Sequence, residues 1–215
     1  WFLASVPQGQ TQSNMFPETS WDSLVSGFNR AKLAWYVIDP SIFYRSDSKL
    51  PNVSKNDISQ PYAREVLEYE VFPNKEIPNG QPSNISILNL AYYPSERGPY
   101  NYDVEGIPGV SAGLNLDGKL KNPEQRWAGI MRKIESTDFE ATNVEYIEFW
   151  MMDPFIGTDG QGGNPMHTGG QLYFNLGDIS EDILKDGRKS FENGLPTSAI
   201  VTNVDTTQWG RVPKL

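Results

Sequence analysis

The chain has 215 residues, a formal net charge of −9 at pH 7, 38% hydrophobic residues, 19 Gly and 16 Pro. This length allows one or two domains with a real core, and the many turn-forming residues are typical of short strands joined by loops. The negative charge argues against a nucleic-acid partner, which would need basic patches. The sequence contains no Cys, which excludes disulfides and thiolate chemistry.

The start of the chain predicts an extended N-terminal arm. Residues 1–20 show no apolar periodicity, and we expect Trp1, Phe2 and Leu3 to add to some other surface. The chain begins without an initiator Met or a signal peptide, so we expect it to be a piece of a longer polypeptide; the alternative is that processing alone removed the start. Residues 21–215 are predicted to form a single domain.

Apolar residues that recur at every second position predict the strands of this domain. The runs that carry this signal are residues 32–38, 65–71, 86–92, 144–152 and 170–177. In residues 144–152, Ile147, Phe149 and Met151 would share a core face, and Glu148 would point to water. This run and residues 170–177, joined by a Gly-rich loop, are predicted to be antiparallel partners.

Helix signals occur at three places. Residues 29–33 could begin a short helix in place of the first predicted strand. Asn122 followed by Pro123 is typical of a helix start, and we interpret it as a single turn that leads into a strand. Residues 182–192 could form one short helix with Ser180 as its cap.

The long stretch from residue 96 to residue 121 is rich in Gly and Pro, and loops of this length are often functional. Its candidate partner-contact residues are Tyr100, Tyr102, Asp103 and Glu105. Aromatic side chains with adaptable polar neighbours suit a contact surface, whereas catalysis would need rigid groups. The alternative is that this loop packs on its own domain.

Signals for catalysis or metal binding are weak. His167 lies in a Gly-rich loop, without the rigid neighbours that a Ser–His–Asp site needs. Carboxylate pairs such as Asp178 and Glu181 would serve glycoside hydrolysis only if they faced each other across a cleft. A structural calcium ion is the one cofactor left open, without the spacing of a helix–loop–helix site. Its candidate ligands are Asp103, Asp117 and Asp159.

Eight long blocks carry a more specific signal. They are residues 27–40 (GFNRAKLAWYVIDP), 70–76 (EVFPNKE), 84–94 (NISILNLAYYP), 96–102 (ERGPYNY), 126–132 (RWAGIMR), 146–155 (YIEFWMMDPF), 174–184 (FNLGDISEDIL) and 205–211 (DTTQWGR). Together these blocks resemble the SprA/Sov family over roughly residues 16–215.

That family comprises very large outer-membrane proteins of Bacteroidota. They form the translocation pore of the type IX secretion system, which serves protein secretion and gliding motility. The resemblance implies a soluble, non-enzymatic segment outside the bilayer, on the cell-surface or the periplasmic side. The implied partners are the rest of the translocon polypeptide, other secretion-system proteins and secreted cargo.

The rhythm of residues 127–130, 146–150 and 172–177 also resembles jelly-roll, galactose-binding-like modules. The predicted fold is therefore all-β, an antiparallel β-sandwich with long loops and one or two short helices. A carbohydrate-binding module of a cell-surface protein is the alternative function, with exposed tyrosines stacked on sugar rings. A glycosidase is the third interpretation.

Overall fold

The computed structural model describes residues 1–7, 16–21, 23–39, 52–60, 63–79, 83–136, 138–153, 169–185, 204–207 and 210–213. The chain forms two compact units. The first comprises Trp1–Leu33, Tyr92–Asn143 and Leu172–Leu215, and the second comprises Ala34–Ala91 and Val144–Gln171.

Strands predominate among the described elements, and the helices are few and short. The strands are β1 (Phe2–Leu3), β2 (Ala31–Val37), β3 (Val66–Leu67), β4 (Asn84–Ile85), β5 (Leu88–Arg97), β6 (Ile130–Met131), β7 (Val204–Thr207) and β8 (Gly210–Pro213). The α-helices are α1 (Lys55–Ser59) and α2 (Glu68–Val71), and single 3₁₀ turns cover Pro17–Ser20, Ser23–Gly27 and Pro123–Gln125. This confirms the predicted sheet-rich class.

The strands of the described residues pair two by two: β1 with β6, β2 with β5, β3 with β4, and β7 with β8. Three of these pairs are antiparallel, namely β1–β6, β3–β4 and β7–β8. The β7–β8 pair is a hairpin whose register runs from Val204 opposite Pro213 to Thr207 opposite Gly210.

The predicted N-terminal arm is part of the first unit. Phe2 lies opposite Met131 and Leu3 opposite Ile130 in the β1–β6 pair. Leu3 is buried, and Val6 beyond the strand is buried as well. Burial of these apolar side chains, at about 25 cal/mol per Å², holds the first residues of the chain on the unit.

Strand β2 confirms the strand interpretation of residues 32–38 over the helical one. The strand predicted at residues 86–92 is present as β5, but it runs through Pro94 to Arg97, beyond the predicted end at residue 92. Proline lacks a donor for a ladder hydrogen bond, and it is tolerated on the free edge of a two-stranded sheet.

The strand predicted at residues 65–71 is right only at its start. After β3 the chain turns into the single helical turn α2, because Glu70 accepts the backbone N–H of Leu67 at 2.8 Å. Arg64 holds the same carboxylate through two hydrogen bonds, of 3.0 and 2.9 Å. Side-chain contacts that satisfy the first N–H groups of a turn favour a helix over the alternating pattern.

Residues 122–131 behave as predicted: one 3₁₀ turn, Pro123–Gln125, leads into β6. The helix predicted at residues 182–192 is absent from its described part, residues 182–185. Ile183 is buried there, and the Lys185 ammonium donates to the carbonyl oxygens of Thr19 at 2.8 Å and Trp21 at 2.9 Å.

The paired strands predicted at residues 144–152 and 170–177 are wrong, since neither segment forms a strand. Phe149, predicted to face a core, is 54% exposed. The physical reason lies in the pattern, because Tyr146 and Trp150 stand on the face opposite Ile147 and Phe149. With apolar side chains on both faces, alternation does not separate a core face from a solvent face. The loop predicted to join the two segments lies mostly outside the described residues.

Candidate functional site

The first unit contains a polar cluster of four buried residues, Glu18, Asn29, Arg30 and Arg126, together with the partly buried Trp127. Glu18 lies in the turn Pro17–Ser20 and is fully buried. Its carboxylate accepts the side-chain amide of Asn29 at 3.0 Å and the indole N–H of Trp127. Buried carboxylates are stabilised by such donors, so this contact fixes the turn against residues far along the chain.

Arg126 completes the cluster on the other side of Asn29. Its Nη1 donates to Asn29 Oδ1 at 2.8 Å, and its Nε donates to the carbonyl oxygen of Lys121 at 2.8 Å. The remaining amide hydrogen of Asn29 reaches the carbonyl oxygen of Val110 at 2.7 Å. Asn29 therefore joins an anion, a cation and a loop carbonyl at one point.

Arg30 is the second buried cation of the cluster. Its Nη1 donates to the carbonyl oxygen of Pro99 at 3.1 Å, and its Nη2 donates to that of Ala4 at 3.1 Å. The guanidinium lies over the ring of Trp127, 5.1 Å from the ring centroid, which is within cation–π range. One side chain thus ties the N-terminal residues and the loop after β5 to the same indole.

Burial disfavours the charged forms of Glu18 and Arg126. Desolvation raises the pKa of Glu18, although hydrogen bonds from Asn29 and Trp127 and the charge of Arg30 lower it in part. Desolvation likewise lowers the pKa of Arg126, against the attraction of Asp103 and Glu18. Each of the five side chains binds other protein groups, so the cluster supports the fold of the first unit.

The predicted contact residues of the loop at 96–121 have different environments. Asp103 is buried and accepts the backbone N–H groups of Gly106 at 2.7 Å and Gly113 at 2.9 Å. Tyr102 is 43% exposed and Glu105 is exposed, whereas Tyr100 is half-buried with a φ of 61°. Asp103 therefore organises the loop from within, and Tyr102 and Glu105 are the members of the set that solvent reaches most.

The loop has a regular internal structure. Antiparallel bridges join Ile107 to Ser111 and Leu114 to Leu120, and Leu120 is buried. The backbone N–H of Leu120 donates to the carbonyl oxygen of Ser95 at 2.9 Å, which anchors the far end of the loop on β5. The loop therefore packs against its own unit through these contacts.

Of the carboxylates predicted as calcium ligands, Asp103 and Asp117 lie in the described structure, and both accept backbone N–H groups. Both oxygens of Asp103 accept backbone N–H groups, and Asp117 Oδ1 accepts the N–H of Lys119 at 3.0 Å. Asp159 and His167 lie outside the described residues. Among the described residues, no three His, Asp or Glu side chains are grouped so that they could hold a metal ion.

A second feature is the apolar surface of two segments that the sequence predicted to be strands. We call residues 144–152 the first exposed segment and residues 171–177 the second exposed segment. The exposed large side chains of the first are Val144, Tyr146, Ile147, Phe149, Trp150, Met151 and Met152. Those of the second are Leu172, Tyr173, Phe174 and Leu176. Exposure is highest at Tyr146, with 77%, and at Trp150, with 75%.

Neither feature follows from the residue types alone. Glu18 lies in a short polar run, and polar or charged residues are ordinarily exposed, so periodicity had no signal for its burial. Asn29, Arg30, Arg126 and Trp127 all fall within blocks that carry the family resemblance. Those blocks indicated where the chain is distinctive, but the geometry of the cluster becomes apparent only in the fold.

Comparison with protein-family models finds no match for this chain, and comparison with curated proteins finds none either. None of the helices in the described ranges has the length and apolar character that a membrane crossing requires.

Proposed function

We propose that the chain is a non-enzymatic segment of a type IX secretion outer-membrane translocon of the SprA/Sov kind. It serves protein secretion and gliding motility as a cap, a gate or a partner-contact surface. On this proposal the segment lies outside the bilayer, on the cell-surface or periplasmic side. Its partners are the rest of the translocon polypeptide, other secretion-system proteins and secreted cargo. The sequence resemblance over residues 16–215 supports the family.

The observation that carries the contact role is the apolar surface of the first exposed segment. Seven of its nine residues are large apolar or aromatic side chains that stand exposed. Contiguous apolar surface of this kind is unusual on a protein that works alone, and it marks a site covered by another molecule. The two most exposed residues of the segment are Tyr146 and Trp150. Tyr and Trp are also among the residue types that contribute most to binding energy at protein interfaces.

We also propose the finer fold: an antiparallel β-sandwich of the jelly-roll, galactose-binding-like type. Three antiparallel strand pairs support it, since such sandwiches are built from antiparallel strands. On this proposal the two exposed segments take up strand structure when the rest of the translocon covers them.

Substitution of the exposed residues in the full-length translocon tests the function. We expect Phe149→Ser combined with Trp150→Ser to leave folding intact and to abolish cargo secretion, because the contact surface loses its aromatic anchors. Leu116→Ser is the matched control, since Leu116 is an exposed apolar residue in a turn outside both segments. Normal secretion by the double variant would contradict the contact role.

The carbohydrate-binding alternative rests on exposed tyrosines of the first unit, but two of these already have partners in the protein. The hydroxyl of Tyr92 donates to the carbonyl oxygen of Arg126 at 2.7 Å. The Lys32 ammonium lies 4.8 Å from the centroid of the Tyr93 ring, on the surface that a sugar would stack on. A glycan array probed with the 215-residue chain separates the two functions, because the contact role expects no glycan signal.

A further inference from the structure

The acidic charge of the chain is concentrated in one stretch. Residues 134–184 contain ten Asp and Glu residues and no Lys or Arg. The rest of the chain carries 17 acidic and 18 basic residues, which is close to neutral. Residues 144–152 lie within this stretch, so a partner that binds them meets the carboxylates of Glu145 and Glu148 and no Lys or Arg of the same stretch.

The first exposed segment lies inside this acidic stretch. Its aromatic and apolar side chains are interrupted by the exposed carboxylates of Glu145 and Glu148, which an extended backbone would place on opposite faces, and Asp153 follows directly. Its residue types favour a strand, yet it forms neither strand nor helix. Such a segment gains regular structure when an extended peptide pairs with it, as in recognition by strand addition.

We propose that residues 144–152 bind an extended peptide segment in which apolar residues alternate with Lys or Arg. This inference rests on the proposed function and names the chemistry of the partner. Opposite charges that face each other across paired strands are favourable, and like charges are unfavourable. A second copy of the segment would bring carboxylates against carboxylates, and an uncharged apolar strand would cover Glu145 and Glu148 without a cation.

The test is a titration of the 215-residue chain with two synthetic peptides, one alternating Val and Lys and one alternating Val and Glu. Fluorescence anisotropy of labelled peptides reports binding. We expect the Val/Lys peptide to bind, more weakly as salt rises, and the Val/Glu peptide not to bind. Amide hydrogen exchange should show new protection within residues 144–152 when the Val/Lys peptide is present.

Charge reversal makes this test specific. Glu145→Lys with Glu148→Lys should weaken binding of the Val/Lys peptide about tenfold or more and create binding of the Val/Glu peptide, because the carboxylate on the face of the peptide's charges becomes a cation and its attraction a repulsion. Glu76→Lys with Glu124→Lys is the control: both carboxylates are exposed outside the acidic stretch, and the net charge changes equally. The control variant should bind like the wild type.

Three results would overturn the inference: equal weakening in the control variant, protection located outside residues 144–152, or self-association of the chain through this segment without peptide. Failure of the proposed function is recognised separately. If the Val/Lys peptide does not bind while Phe149→Ser with Trp150→Ser still abolishes secretion, the partner chemistry is wrong and the contact role stands. If the peptide binds and secretion is normal, the contact role in secretion is wrong.

Discussion

Trp127 donates its indole N–H to the buried carboxylate of Glu18, a residue 109 positions earlier in the chain. Asn29 binds the other oxygen of the same carboxylate at 3.0 Å. One acidic side chain therefore satisfies one buried and one partly buried donor that belong to distant parts of the first unit.

Removal of this acceptor should destabilise the unit. In Glu18→Ala, the indole N–H of Trp127 and one amide hydrogen of Asn29 lose their partner inside the protein, at about 1–3 kcal/mol for each buried donor. Urea unfolding followed by Trp fluorescence measures the loss. The exposed Glu124→Ala should cost about 0.5 kcal/mol or less. Equal midpoints for the two variants would show that the carboxylate does not support the fold.

The raised pKa of Glu18 also predicts a pH dependence. Burial raises this pKa above the ordinary 4.5, so the folded state holds the proton more readily than the unfolded state. The contribution of protonated Glu18 to the free energy of unfolding is fully present below pH 4.5 and is lost as pH rises through the raised pKa. The unfolding free energy of the wild type minus that of Glu18→Gln should therefore fall as pH rises above about 4.5. A difference that is flat or rising there would contradict this prediction.

Asp57 should show the opposite sign at lower pH. Hydrogen bonds from the side chain and backbone of Ser54 lower the pKa of Asp57 below its ordinary 3.8. Its contribution is present above pH 3.8 and is lost as pH falls through the lowered pKa. The unfolding free energy of the wild type minus that of Asp57→Asn should accordingly shrink on acidification below about pH 3.8, as acid titration of stability by circular dichroism would show.

Two glycines of the loop at 96–121 form a matched pair. Both have positive φ, 72° at Gly113 and 80° at Gly118, so alanine is strained at either position, by about 1 kcal/mol. At Gly113 an added Cβ would also lie 2.5 Å from the carbonyl oxygen of Val104, whereas at Gly118 nothing lies within 4 Å. Thermal unfolding should therefore show Gly113→Ala to be less stable than Gly118→Ala by at least about 2 kcal/mol. Equal stabilities would mean that the loop does not hold this close approach.

The exposure of Phe149 sets the stability effect of its replacement. Because the side chain is 54% exposed, Phe149→Ala should cost about 1 kcal/mol or less, close to the cost of Glu148→Ala. A core phenylalanine would cost about 3–5 kcal/mol. A loss of that size in the 215-residue chain, measured by urea unfolding, would place Phe149 in a core after all.

The sequence predicted the local elements well where the residue types favour one kind of element or where a turn residue decided the outcome. The strand β2 and the turn Pro123–Gln125 before β6 are examples. It failed at residues 68–71, because the carboxylate of Glu70 stabilises a helical turn that no periodicity signals. It failed at residues 144–152, because an apolar run can serve an outer contact as well as a core. Glu18 lay beyond prediction, since its burial depends on Trp127, whose position only the fold sets.

The pairing of Phe2 with Met131 has a consequence for how the protein is made. The two partners are separated by more than half of the chain, so the first unit gains this ladder only after a long loop has closed. Contacts of such separation slow folding, and a chain emerging from the ribosome cannot form them until residue 131 has been synthesised. Until then Phe2 and Leu3 lack the strand partners Met131 and Ile130. Within these 215 residues, the ones translated first are thus among the last to reach their native contacts.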